Sequence, residues 1–299
     1  SELIFVYDIK NANPNGDPLD SNKPRMDEET SINLVTDVRL KRTVRDYLFN
    51  YGKTEDVFVR EIEVDKGKIQ DGKKRGADFG KTKDEIYKNV IDKCIDVRLF
   101  GATIPLARDS VTVTGPVQFA MGHSLHKTSI QFIKGTGAFA SGEGKGKKTF
   151  REEYVVPYSL IGFYGIINEN AAKHTKLTVE DVDLLTEGMW EGTKNLISRS
   201  KIGQTPRLLL KIDYKDSGFH IGDLMGLFKI VPKCKDEFAI RSTEDYTVDI
   251  SGFIEILDQY KEKVDSIHVK YDSRIVFSRE GNEGAILELL SEFPVSKID

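Results

Sequence analysis

Residues 9–48 read IKNANPNGDPLDSNKPRMDEETSINLVTDVRLKRTVRDYL, from Ile9 to Leu48, and the fold turns on this stretch. Residues 3–9 lead into it as a short apolar strand. Asn13-Pro14, Gly16, Pro18 and Pro24 then punctuate a loop that is expected to be neither strand nor helix, because each removes a donor or loosens the backbone. The loop is longer than most connections in compact domains, which favours a functional role over a mere link. A helix follows from Thr36, a suitable N-cap, with Asp37 favoured in the first turn by the helix dipole. Leu40, Val44, Tyr47 and Leu48 recur on one face of it. Lys41 and Arg45 flank that face, while Arg39, Arg42 and Asp46 are expected nearer to solvent.

Working outward, residues 56–64, DVFVREIEV, alternate apolar and charged positions imperfectly and are expected as a strand. Residues 66–83 are rich in Gly and Lys, as an exposed excursion would be, and 84–95 form a short helix with Ile86, Val90, Ile91 and Cys94 on one face. The apolar run 152–167, EEYVVPYSLIGFYGII, reads as one or two buried strands broken at Pro157. Thr178 and Asp181 make a capping pair for a helix carrying Val182, Leu185, Met189 and Leu196, and a strand resumes at 207–214. The series of strand 3–9, helix 36–50, strand 57–64, strand 152–166, helix 178–197 and strand 207–214 predicts an α+β fold. Four antiparallel strands would carry two helices on one face, with 65–151 as one large insertion. A C-terminal strand 226–231, helix 251–264 and strand 266–271 offer a competing register for the second helix. The first register is preferred because its interruptions fall at loops rich in Gly and Lys. No internal repeat is evident.

The 299 residues, 39% hydrophobic and 31% charged, suit a soluble globular chain with one large core or two smaller ones. No apolar run approaches the roughly 18 residues of a membrane span and no signal peptide heads the chain, so a cytoplasmic protein without a membrane partner is expected. Cys94 and Cys234 have no CxxC spacing, which argues against a disulfide framework or a zinc site. His123 and His126 lack a carboxylate or cysteine at ligand spacing, so no metal is expected. Residues 135–146, GTGAFASGEGKG, contain neither GK[ST] nor GxGxxG, so no cofactor is expected there either. A nucleic-acid contact and a plain surface loop remain open for that segment. The net charge of −4 argues against nucleic-acid binding over the whole surface but not over a patch. Lys194, Arg199, Lys201, Arg207 and Lys211 share a segment without any acid, and Lys134 to Arg151 is basic as well. Acids are concentrated from Asp236 to Glu262.

Taken together, YDIKNANPNGDP, LVTDVRLKRTVRDYL, DVRLFG, GPVQF with GHSLH, EEYVVPYSLIGFYG and LLTEGMWEGTKNLISRSKIGQTPRLLL resemble one known family. That family is the backbone subunit of type I CRISPR Cascade complexes, the Cas-seven superfamily of repeat-associated proteins, with wording closest to subtypes I-B and I-C. The resemblance runs from Tyr7 to Tyr214, and residues 215–299 add little to it. It implies a palm like an RNA-recognition motif (ferredoxin-like), with a large fingers insertion and a short thumb. The palm would comprise 1–64 and 152–299, the fingers 65–151, the thumb 198–206, and a C-terminal extension would begin at 215.

The resemblance further implies a scaffold for antiviral defence, not an enzyme. Copies would assemble along a CRISPR RNA, grip its phosphate backbone without regard to sequence, and present it for pairing with target DNA alongside other Cascade subunits. Thr36, Lys41 and Arg45 would form the phosphate-binding helix, with Arg42 beside them. A capped helix start with flanking cations can hold phosphates in this way. Asn13, Asn15, Lys23 and Arg25 of the loop would line the same RNA site, as would Phe119, His123, Ser124 and His126. Gly137 and Phe139 would bring the fingers to RNA, with Phe139 either stacked on a base or buried. The thumb would offer Arg199 and Lys201 to phosphates and Ile202 as a wedge between bases, with Gln204 and Arg207 at its base. The alternative is a metal-dependent endoribonuclease, either of the related type III backbone kind acting through a loop aspartate or of a repeat-transcript-processing kind. Asp17 and Asp20 occupy that loop, where turn formation is the plainer reading.

Overall fold

A computed structural model describes residues 1–107, 109–136 and 150–298. Its centre is the strand β1 (Glu2–Ala12), from which we number the elements that build the site. The others are α1 (Asp37–Asn50), β2 (Phe150–Ile167), α2 (Val179–Lys194), β3 (Thr205–Tyr214) and β4 (Val264–Tyr271). β1 lies between β2 and β3 and is antiparallel to both, with Ile4 opposite Tyr164 on one side and Leu210 on the other. β4 continues the sheet beyond β3, and Val295–Lys297 pairs parallel to β4 at the edge. Beyond β2 the sheet continues through Gly122–Lys127, Ile32–Val35 and Met26–Asp27.

The alternation of side chains along β1 divides two cores. Leu3, Phe5, Tyr7 and Ile9 face α1 and α2, where they meet Val44, Leu48, Leu185 and Met189. Ile4 and Val6 face the other way, against Tyr246, Phe253, Leu257 and Phe277. Because both faces are buried, β1 reads as an unbroken apolar run rather than an alternating one. The two helices approach closely on their own side. A Cβ on Gly188 or Gly192 of α2 would come within 3.0 Å of Val44 or Tyr47 of α1, respectively, so the missing side chains set the spacing.

Several expectations change. Residues 57–64 do not enter the sheet; Glu63–Asp65 forms only a small exposed hairpin with Lys68–Ile69. The backbone nitrogens of Phe58 and Val59 donate instead to the buried carboxylate of Asp96, at 2.7 and 3.1 Å, and Arg75 donates to the Val57 and Phe58 carbonyls. With its donors and acceptors met by side chains, this stretch does not need a ladder. Its expected place beside β2 is taken by Val117–Phe119 and Gly122–Lys127, from within the segment expected to be a single insertion. β2 is one continuous strand despite Pro157. That residue lies opposite Asn11, where the ladder to β1 lapses and Asn11 adopts a positive φ of 50°, so no donor is missed. The punctuated loop also contains short paired strands, Gly16–Asp17 with Lys23–Pro24 and Met26–Asp27 with Ile32–Val35.

Residues 215–298 are an integral layer. Helix Ser251–Gln259 and a small sheet that includes Tyr246–Asp249 and Phe277–Arg279 cover the second face of β1, β2 and β3. Polar groups fasten that layer at two points. The carboxylate of Glu2, fully buried, accepts from the Tyr164 and Tyr214 hydroxyls and from the backbone nitrogens of Ile221 and Gly222. Asp8 accepts from Tyr158 at 2.7 Å and from Arg207 at 2.8 Å, and Tyr158 meets the Tyr246 hydroxyl at 2.9 Å. Burial pushes the Asp8 carboxyl above its usual range, against the opposing pull of Arg207. Cys94 and Cys234 are both free thiols, and burial pushes the Cys94 thiol up. Among the described residues no helix is long and apolar enough to cross a membrane.

Asp8→Ala strands the Arg207 guanidinium inside the protein with only Asp272 near it, and is expected to cost roughly 3–5 kcal/mol. Tyr246→Phe removes a single hydrogen bond and is expected to cost about 1 kcal/mol. Denaturant unfolding of the two variants checks the order; the reverse order would remove Asp8 from the centre of the network.

Candidate nucleic-acid interface

At the C-terminal end of β1 two segments almost 190 residues apart are stapled together. The backbone nitrogen of Asn13 donates to the Ser200 carbonyl at 3.0 Å. The Lys201 Nζ donates to the carbonyls of Asn13 and Pro14 at 2.6 and 2.8 Å. Gly203 turns the 198–204 segment with a φ of +89°, in open space, and Ile202 beside it is 56% exposed, free for an apolar contact. Asn13 Nδ2 holds the Asn22 carbonyl at 2.6 Å, which folds the loop back on itself.

Thr36 occupies the N-cap position with an extended backbone but makes no capping bond; its hydroxyl and its backbone nitrogen both donate to Asn15 Oδ1 at 2.9 Å. Asp17 accepts from Arg25 at 2.8 Å and from the Leu19 backbone at 3.0 Å, and Asp20 pairs with Lys23 at 2.9 Å. The aspartates are thus ion-paired turn formers. Among the described residues no group of three or more His, Cys, Asp or Glu could hold a metal ion.

The cations expected on α1 are tied up in the fold. Lys41 is buried and donates to Asp37 at 3.0 Å and to Gln118 at 2.9 Å. Arg45 donates to Asp96 at 2.8 Å, over the ring of Phe100. Arg42 is more exposed but pairs with Asp46 at 2.7 Å. Arg207 is buried between Asp8 and Asp272, and Arg199 reaches Glu153 at 2.8 Å. Phe119 packs into the helix-side core. Ser124 is buried, accepting from the Asn33 nitrogen and donating to the His126 carbonyl. His126 accepts from the Leu160 nitrogen at 3.2 Å and stacks on Tyr158, and burial lowers its pKa. His123 is exposed, on a different groove that also borders Met225 and Phe228. Gly137 and Phe139 lie outside the described residues.

Arg39, expected at the solvent face, is half-buried instead, and has no ion pair among the described residues. It lines a cavity of about 490 Å³ together with Thr43, Asp46 and Tyr47 of α1, Tyr51 just beyond it, Asn195, Ser198 and Lys201. Burial, and then the neighbouring Arg39 charge, bring the Lys201 ammonium down to about 7. Burial lowers Arg39 as well. Among the described residues, Asn13 Oδ1 and Gln204 Nε2 of the two stapled segments are buried and have no hydrogen-bond partner. Two cations without a carboxylate bonded to them share the cavity with hydroxyl and amide groups and with one carboxylate, Asp46, which is paired with Arg42, and this is chemistry that can hold an anion. The loop and the 198–204 segment meet at the end of β1, whereas Lys41, Arg45 and Arg207 are tied into the fold. Arg39 was missed, although its i, i+4, i+8 spacing to Thr43 and Tyr47 was the available signal.

A family model for CRISPR-associated protein Cas7 matches residues 1–251, well past the Tyr214 limit of the quoted motifs. A curated relative from Haloferax volcanii, "CRISPR-associated protein Cas7", is 32% identical over 301 residues, covering 92% of this chain and 87% of the relative. Among solved structures, a chain of a "CRISPR RNA-guided surveillance complex, pre-nicking" superposes with a TM-score of 0.53 at 12% identity, over 97% of this chain and 98% of that one. A chain of a "CRISPR RNA-guided surveillance complex" gives 0.51 at 13% identity, over 94% and 95%. These two share the fold.

Arg45→Ala leaves Asp96 buried without its guanidinium and is expected to cost roughly 3–5 kcal/mol. Arg39→Ala breaks no ion pair and is expected to stay within about 1 kcal/mol of the parent. Unfolding midpoints of the two variants give the comparison, and equal losses would contradict this division of the cations.

Proposed function

The chain belongs to the CRISPR-associated protein Cas7 family, and on that premise we propose that it is a non-catalytic backbone subunit of a type I CRISPR RNA-guided surveillance complex. It grips the phosphate backbone of the guide without regard to sequence, lines up with further copies of itself and with other Cascade subunits, and leaves the bases to pair with target DNA. The observation that carries this reading is the stapled loop and thumb with the Arg39–Lys201 cavity beneath them.

The sheet supports a palm of the RNA-recognition-motif kind. β3, β1, β2 and the 117–127 strands stand in that order, with α1 following β1 and α2 following β2 on one face. In this reading the palm takes its second strand from 117–127, the fingers comprise 51–116 and the segment after 127, and the thumb is 198–206. The C-terminal layer covers the sheet face that an RNA-recognition motif would leave open, so the guide runs past the end of β1 instead. Asn13, Arg39, Lys201, Ile202 and Gln204 are the residues we assign to it, with Arg25, Lys23 and Arg199 around them. A cutting role for Asp17 has less support, because Arg25 holds that carboxylate.

Co-expression with a CRISPR array should yield RNA-loaded oligomers, read from particle mass and the ultraviolet absorbance ratio. Arg39→Ala combined with Lys201→Ala should leave the protein folded but poor in RNA. Arg39→Ala alone should lower the salt slope of binding by about 0.7, because one phosphate fewer is neutralised on the single strand. A nucleic-acid-free monomer from the parent chain would contradict the scaffold reading. Metal-dependent cleavage of complementary RNA that disappears in Asp17→Ala would replace it with the nuclease.

A further inference from the structure

We propose that Phe132 is a stacking platform for one base of the guide strand, supported from behind by Tyr154. This rests on the reading of the loop and thumb as part of the guide site. The platform sits on a two-stranded ribbon. Gln131–Thr136 pairs antiparallel with the first residues of β2, ahead of Val156, where the ladder of β2 to β1 begins. In this register Phe132 lies directly opposite Tyr154 and Lys134 opposite Glu152, so these side chains share one face of the ribbon and Ile133 stands on the other. The two rings meet at 4.9 Å between centroids, tilted by 37°. An ammonium lies over each of them, Lys23 at 5.5 Å from the Tyr154 centroid and Lys134 at 5.3 Å from that of Phe132. Phe132 itself is 45% exposed.

The surroundings select a base over a phosphate or a protein. Each nearby cation already has a carboxylate: Lys134 has Glu152 at 3.2 Å, Lys23 has Asp20 at 2.9 Å and Arg25 has Asp17 at 2.8 Å. The ribbon therefore offers a ring face rather than a phosphate clamp. Every base has a π face to match it, and such stacking is indifferent to sequence, as a guide carrier requires. The Lys134 stem is exposed, so its ammonium swings aside when a base takes its place over Phe132. A stable protein interface needs about 800 Å² on each partner, whereas this face offers two rings with Ile130 beside Tyr154. Tyr154 also joins the platform to the guide site. It lines a cavity of about 300 Å³ with Asn13, Asn22, Arg199 and Ser200, and another of about 490 Å³ with Lys23, Arg25 and Thr36. The Ser200 carbonyl belongs to the staple, and Ser198 and Lys201 on either side of it line the Arg39 cavity. A strand held by a phosphate at Arg39 and Lys201 and passing the staple thus reaches the ring pair.

The test uses RNA-free protein and a uridine oligonucleotide carrying a 2-aminopurine, whose fluorescence falls when it stacks on an aromatic ring. The parent should quench the probe. Phe132→Ala should abolish the quenching and weaken binding about 5- to 100-fold, the loss of one base–aromatic stack. Its salt slope should stay at the parent value, because no phosphate contact is removed. Phe132→Trp should restore both affinity and quenching. Arg39→Ala is the counterpart, lowering the salt slope while quenching at saturation persists. Phe132 is exposed, so thermal unfolding of Phe132→Ala should match the parent. Parent-like affinity and quenching in Phe132→Ala, or a fall in its salt slope, overturns the stacking and leaves the guide site standing. A smaller particle mass in Phe132→Ala with quenching retained overturns it in favour of a contact between copies. Absence of RNA binding by the parent overturns the guide reading and the platform together.

Discussion

The constraint on which the structure depends is that β1 has no solvent face from Glu2 to Ile9. Its odd-numbered side chains are committed to the two helices and its even-numbered ones to the C-terminal layer, while β2 and β3 occupy both of its edges. A strand enclosed on four sides can accept a polar group only where a partner is built for it. Glu2 and Asp8 are those groups, each at a point where the C-terminal layer or the loop before it must be held to the sheet. The enclosure also determines where binding can occur. At the C-terminal end of β1, Asn11 breaks the ladder and the chain leaves the sheet.

The cations divide into two populations with opposite surroundings. Lys41, Arg45, Arg98 and Arg207 each have a carboxylate within 3.0 Å and join segments distant in sequence or in the fold. Arg39 and Lys201 have no such carboxylate, and the cost is visible in how burial depresses their affinity for protons. Asp46 lines the same cavity, and its charge opposes that shift at Arg39.

How much of this was legible in the sequence depends on the range of the signal. α1 and α2 follow from apolar spacing, and the Lys41–Asp37 pair could have been read from its i, i+4 separation. Arg45 with Asp96, and Arg207 with Asp8 and Asp272, could not, because the partners are far away and nothing local announces them. Residues 57–64 mimic a strand through Val57, Val59, Ile62 and Val64, yet Asp96 and Arg75 satisfy the backbone that a strand would have offered to a neighbour. The C-terminal layer was underrated for a related reason. Its apolar pattern was visible, and the unbroken apolar run of β1 announces a strand covered on both faces, but nothing local says which segment covers the second.

The order of the sheet also bears on how the chain acquires its structure. β1 precedes its sheet partners, which lie about 150 and 200 residues downstream, and the layer over its second face comes later still. Until then its apolar side chains and both strand edges must wait without native company, a high-contact-order arrangement that slows folding and invites wrong pairing. The punctuated loop after β1 separates this strand from α1, so the helix can form early by local contacts without drawing the strand into premature association. The sheet edge at Val295–Lys297 is likewise supplied from far downstream, so native pairing across the sheet waits on segments distant in sequence.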